Sequence, residues 1–432
     1  MKARNEARLR KCRKLSFGLA ALVLLCVGTA VAQTRYKVTD LGTLGGNNSI
    51  PFRINNRGQV VGLAETSQAD PNSPGSLIFH AFFWDEGVMH DLATLTVNST
   101  LWNSVANDVN NHGQVVGWSN TGAFDPITAS PEIRAFAWQD GAMTDLGTLG
   151  GNNSIAGGIN DKHQVVGVTE IPTVDPTFPP FLEAHAFLWE KSVMSDLGTL
   201  GVGSNSFAND INERGEAVGG SQVNTIINPL LGFPPYIGFL WTSGVMINLN
   251  TPDIGSNAFT INNQAQVVGR IAVDENGVPI SHAFLWEKGV TRDLGTILGL
   301  QDSEALSIND KGQIVGDSGV GPIESFSSLA AWLLDNGVMT DLNTLIPADS
   351  GFQLIVAFDI NADGQIVACG IETSTGNVHA VLLNPTNGNA GPPTQASDGR
   401  RQNGMLSESA RKLLARGKSG LGRSKAGMST PR

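Results

Sequence analysis

The stretch HAFLWEKGVTRDLGTILGLQDSEALSINDKGQIVG, running from His282 to Gly316, decides the fold. It holds four short apolar runs divided by turn residues, the pattern of four successive strands. Between the aromatic run and the next lies Glu287-Lys288-Gly289, a length suited to a hairpin turn. Between the last two runs lies Asn309-x-x-Gly312. There the Asn side chain can close an Asx turn, and Gly supplies the positive φ of a tight hairpin.

The same unit recurs along the chain. Its Ile/Val-Asn pair places Asn at 55, 110, 160, 212, 262, 309 and 361, and its aromatic run begins at 80, 134, 185, 237, 282, 330 and 379. Seven units of about 50 residues fill 36–383, and four antiparallel strands per unit is the sequence mark of propeller blades. Three residues before the Asn pair stands Ala in six units (Ala106, Ala156, Ala208, Ala258, Ala305, Ala357) and Pro51 in the first. We read this as the crowding of innermost strands around a narrow axis. The chain opens on an aspartate-leucine strand (Lys37–Leu41) and closes on an aromatic one (His379–Leu383). The last blade thus lacks its outer strand, and the N-terminal strand can supply it, leaving no free sheet edge. The expected fold class is all-β, a seven-bladed β-propeller whose N-terminal strand closes the last blade.

On these residues, His282-Ala-Phe-Leu-Trp286 with Asp293-Leu-Gly-Thr and Gly312-Gln-Ile-Val-Gly316, the chain resembles the extracellular HAF-repeat family, named for the His-Ala-Phe run. The resemblance spans 36–383 and recurs seven times. It implies an exported bacterial repeat protein and brings no activity with it. Arg134, Ile237 and Ala330 replace the His in three units, so the His is no chemical requirement of the repeat.

Residues 1–32 fit export. Seven Lys/Arg precede an uncharged apolar run from Leu15 to Ala32, which ends in the small-x-small pattern Ala30-Val31-Ala32. This is a signal peptide with cleavage expected before Gln33; an uncleaved anchor with its basic end in the cytoplasm is the alternative. The expected location is secreted, extracellular or in the cell envelope, without a membrane span after cleavage. Two of the three Cys fall inside this segment, leaving Cys369 and no intrachain disulfide.

Charge excludes one class of partner. Residues 33–383 carry 12 basic and 36 acidic side chains, a net charge of -24 that repels a phosphate backbone, so nucleic acid is not expected. The tail, 386–432, is basic, Gly/Pro/Ser-rich and without repeats; we expect it to be mostly disordered. Within it Ser407 can cap a helix reaching Arg416, with Leu406, Ala410, Leu413 and Leu414 on one side.

Variation between the repeats concentrates in the connection from the G-Q-V-V-G run to the aromatic run, which spans 17 residues at Leu63–Phe79 and ten at Cys369–Val378. A repeat fold places its binding surface on such a variable face. The carboxylates there, Glu65, Asp70, Asp125, Glu132, Glu170, Asp175, Glu183, Asp274 and Glu275, are the ligand-face candidates. Asp-Pro at 70, 125 and 175 equally well initiates turns. Asp359-Ile-Asn361-Ala-Asp363-Gly364 matches the opening of a calcium loop but has Gly370 where a bidentate Glu is needed, so it reads as a turn. No metal or other cofactor is expected, and no nucleophile elbow or phosphate-cradling loop occurs. The expected function is a binding or scaffolding module without a catalytic site, its partner a cell-envelope polysaccharide or a surface protein. The alternative is a carbohydrate-active enzyme, glycoside hydrolase or polysaccharide lyase, using the loop carboxylates.

Overall fold

A computed structural model describes residues 35–96, 102–229, 231–251, 255–275, 278–297, 299–319, 329–386 and 406–420. The described residues all belong to the unit 34–432. The expected signal segment, 1–32, lies outside them.

Seven four-stranded antiparallel sheets form the blades of a propeller. Blade 3 runs outward from the axis as Ser154–Ile159, Val165–Val174, Leu182–Glu190 and Val193–Gly198. Blade 7 takes three strands from the chain's end, Phe352–Ile360, Ile366–Glu372 and Val378–Thr386, and its outer strand from the start, Arg35–Asp40. The closing strand pairs from Arg35 opposite Thr386 to Asp40 opposite Val381, and its Tyr36 is buried. The N-terminal closure is thus present.

Each blade interface has its own apolar cluster. Val61, Ala81 and Phe83 of blade 1, for instance, meet Ala106, Val115 and Phe136 of blade 2. The repeated alanine sits here, between blades, and not on the axis as the sequence suggested. Its inner strand carries a register shift immediately after it, Ala106 to Asp108 and Ala156 to Gly158 among others. Such a bulge re-aims the side chains that follow, so the residue two beyond the alanine is the one that faces the axis.

A serine straps five of the seven junctions in the same way. The Ser154 hydroxyl accepts from the Ala135 N–H of the previous blade at 2.9 Å and donates to the Gly147 carbonyl of the crossover at 2.7 Å. Ser49, Ser104, Ser206 and Ser303 repeat this arrangement, Ser49 doing so between blades 7 and 1. Trp84, Trp138, Trp189 and Trp241 lie directly opposite Met89, Met143, Met194 and Met246 across the outer hairpins, half-buried against the interface clusters, in keeping with a packing role.

Four blades pair a third-strand His with an outer-strand Asp. In blade 7 the pair, His379 Nδ1 to Asp40 Oδ2 at 2.9 Å, joins the two ends of the chain. The hydrogen bond to Asp40 raises the His379 pKa above its ordinary 6.5. Burial works to raise that of Asp40, but the His379 bond and the Gly42 N–H hold it below 3.8. The His contribution is full below pH 6.5 and is lost as pH climbs through its raised value. The Asp contribution is full above pH 3.8 and is lost as pH falls through its lowered value. The clasp is therefore strongest between about pH 4 and 6.5. His379→Ala should lose more melting temperature relative to wild type at pH 5 than at pH 9. Equal losses at both would show that the pair's charge does not contribute.

The C-terminal helix, Glu408–Gly420, lies over the junction of blades 7 and 1. Leu406, Ala410, Leu413 and Leu414 are buried in the cluster that also holds Phe52 and Phe358. Ser407 N–H donates to Gly376 O of blade 7 at 2.9 Å, and Asn48 Nδ2 of blade 1 donates to Ser409 Oγ at 3.2 Å. A thirteen-residue helix is marginal alone, and tertiary packing of its apolar side supplies what local propensity does not.

Candidate functional site

The tight hairpins between first and second strands gather at one end of the axis around a polar depression of about 190 Å³. Its wall is the repeated Asn. Each Asn Oδ1 closes its own turn, Asn55 accepting from Arg57 N and Gln59 N at 3.0 Å. Each Asn Nδ2 also donates to the Asn carbonyl of the next blade. The seven bonds, 2.9–3.2 Å, run from Asn55 onto Asn110 around to Asn361 onto Asn55, a closed ring. Above it the next residue forms a second, open chain of six links, Asn111 N–H donating to Asp161, Asp161 N–H to Glu213 and Ala362 N–H to Asn56, which is broken between Asp310 and Ala362 because alanine has no acceptor.

On the floor is Arg53, the basic member of a repeat column otherwise made of Asp108, Gly158, Asp210, Thr260, Ser307 and Asp359. Its guanidinium lies 3.8 Å from Asp108, 3.8 Å from Asp210 and 3.4 Å from Asp359, and donates to Thr260 Oγ1 at 3.2 Å. Every carboxylate also takes a backbone N–H from the following blade: Asp108 from Ile159, Asp210 from Ile261 and Asp359 from Ile54, at 2.8–3.0 Å. Three acids share one base in a buried place. Burial pushes Asp108 up to about 7 and raises Asp210 as well, with Arg53 opposing both shifts. The group is a cross-brace between blades 1, 2, 4, 5 and 7. The sequence signal for it was one basic residue in an otherwise acidic or small column, which becomes legible only once that column is known to face the axis.

The loop-face candidates are at the opposite end and point mostly inward. Asp70, Asp125 and Asp175 cap their own Asp-Pro turns, Asp125 accepting from Ile127 N at 2.7 Å. Each also takes the side chain of an Asn in the next blade: Asn103 at 3.2 Å, Asn153 at 2.6 Å and Asn205 at 2.7 Å. Glu65 binds Asn48, and Glu170 binds the Asn152 and Asn153 N–H groups; burial raises the Glu170 pKa. Asn153 thus brings Asp125 and Glu170 together. Glu132 pairs with Arg134 at 3.0 Å. Glu183 is half-buried, which raises its pKa, and Asp274 is exposed in a strand-end hairpin. Glu275 follows it in that hairpin, its side chain lying outside the described residues. In blades 1 to 3 the connection is chiefly extended strand, Val60–Ala69 and Leu77–Asp85 in blade 1, with the turn reduced to 70–76. The calcium-like segment diverges: Asp359 faces Arg53, while Asn361 Oδ1 takes Asp363 N and Gln365 N.

No known sequence family matches the chain, and no curated protein does. Among solved structures it is similar to the β-propeller domain of the trilobed protease from Pyrococcus furiosus, described as having an open velcro topology. The TM-score is 0.50 at 8% identity, over 81% of this chain and 96% of that one. It is also similar to oligogalacturonate lyase from Vibrio parahaemolyticus, with TM-score 0.44 and 9% identity over 82% and 94% of the two chains. A third likeness is to TolB from Acinetobacter baumannii, with TM-score 0.40 and 8% identity over 76% and 64%. At such identities what is shared is the β-propeller fold.

Proposed function

We propose that the chain is an exported binding or scaffolding propeller of the HAF-repeat kind, acting in or outside the cell envelope, and that it meets its partner with the loop face of blades 2 to 4. The observation that carries this reading is where large apolar side chains stand in solvent. Phe124 (54% exposed), Val174, Val202 (79%), Ile226 and Ile227 are all on that face, and Phe124 meets Trp102 edge-on at 5.8 Å. Valines of the outer hairpins, Val88, Val193, Val245, Val290 and Val338, are exposed too, one to a blade; what the loop face adds is an aromatic pair, which offers a platform for a sugar ring or a protein side chain. The inward-turned carboxylates support binding over hydrolysis, since their lone pairs are spent on turns and on the next blade.

The test is calorimetry of the chain from Gln33 onward against envelope polysaccharides, with Phe124→Ser as control. Saturable binding weakened at least tenfold in that variant, without product release, is the expected result; a tenfold change is about 1.4 kcal/mol, ordinary for one buried aromatic. Polysaccharide cleavage abolished by Glu183→Gln would replace this reading with the enzyme. Silence toward every glycan would leave a surface protein as the partner.

A further inference from the structure

We propose that His112 and His163 form a two-histidine site for one divalent transition-metal ion on the rim of the axial depression. They sit on the facing hairpins of blades 2 and 3, both exposed, with ring centroids 5.5 Å apart and planes inclined by 35°. Imidazoles sharing a tetrahedral ion at about 2.0–2.1 Å per bond hold their centroids about 5 Å apart, so the pair stands near ligating separation.

One ligand is oriented in advance. His163 Nδ1 bonds Gln114 Oε1, and that oxygen is the acceptor because Asn110 Nδ2 also donates to it, at 2.8 Å. An amide oxygen can only accept, so the proton is on Nδ1 and the Nε2 lone pair is available to a metal. The His112 ring makes no hydrogen bond among the described residues. His163 stands where five other repeats have Gly (Gly58, Gly113, Gly215, Gly312, Gly364) and one has Ala265, and it keeps their left-handed backbone at φ 63°. A side chain is retained there against a conformation that favours glycine.

The surroundings favour a cation. Asp161 and Glu213 lie on the same rim, and the Glu213 carboxylate interacts electrostatically with His112; Lys162, exposed beside them, opposes. Among the described residues no three His, Cys, Asp or Glu side chains converge on one point, so water or a partner's group fills the remaining positions.

The test is titration of the untagged full chain with Cu²⁺, Ni²⁺ and Zn²⁺, followed by calorimetry and, for copper, electron paramagnetic resonance. We expect one ion per chain, copper binding tightest, with a signal from two nitrogen ligands and no response to Mg²⁺ or Ca²⁺. His163→Gly installs the residue that five repeats already have and should melt no lower than wild type. His112→Asn alters an exposed side chain. Each should weaken copper at least about tenfold and reduce the resonance signal to one nitrogen. Unchanged affinity in either variant, or no saturable binding by the wild type, overturns the proposal.

Discussion

Gly167→Ala is expected to destabilise the propeller by about 3 kcal/mol or more, at the upper end of what overpacking costs. A Cβ at that position would stand 2.0 Å from the Ile155 carbonyl of the inner strand and 2.8 Å from the ring of Phe187, its cross-strand partner. The same carbonyl approach, 1.9–2.0 Å, occurs at Gly62, Gly117, Gly219, Gly269 and Gly316, each opposite an aromatic residue of the third strand. Blade 7 is the informative exception. It has Ala368 opposite Val381, a methyl facing a smaller side chain. Its inner strand also carries a second register shift, between Leu354 and Val356, at the residue whose carbonyl the methyl would otherwise meet. Relief therefore needs backbone rearrangement, and Gly167→Ala with Phe187→Val should keep most of the loss. Urea unfolding of the single and double variants decides. A single variant within about 0.5 kcal/mol of wild type would mean the inner strand yields easily, against the close packing expected of an interior.

That case shows which parts of the molecule were legible in the sequence. A glycine facing an aromatic, repeated six times, is local to one hairpin, so strand order, blade count and ring closure could be read from the repeat alone. The Asn of each hairpin was legible as a turn residue because its Oδ1 partners lie two and four positions on. Its Nδ2 partner lies one whole repeat away, so the seven-membered ring was not. The loop carboxylates were placed on the correct connections, but their direction was hidden: the Asp125 partner Asn153 belongs to the next blade. The alanine column was assigned to the axis because a small side chain suits the crowding of innermost strands, and the bulge that follows it turns the residue two positions on toward the axis instead. The tail helix could be seen from its apolar spacing, whereas its seat across blades 7 and 1 depends on side chains more than 300 residues away.

Arg53→Met should cost about 3–5 kcal/mol at pH 8, because it leaves Asp108, Asp210 and Asp359 buried without their counter-charge. The pH dependence separates charge from packing. With its pKa near 7 in the folded protein, Asp108 takes up a proton that the unfolded chain has already released, so its contribution to stability falls as pH rises from about 4 to 7. Burial raises Asp210 in the same direction. Arg53 opposes both shifts, so removing it moves them higher and extends the decline beyond pH 7. Wild type and variant should then lie close together near pH 5, where the acids are protonated in the variant, and diverge toward pH 8. Asp108→Asn should make the mirror-image change, gaining on wild type at pH 8 and matching it at pH 5, since the amide oxygen still accepts from Ile159 N–H. Arg53→Met combined with Asp108→Asn and Asp210→Asn should recover much of the loss, as neutral replacements of a buried ion cluster commonly do. An equal loss for Arg53→Met at both pH values would make the arginine a packing residue that spans the axis through its stem and its bond to Thr260. Bracing at the axis would then fall to the Asn ring and the bonds of the aspartates to the following blades.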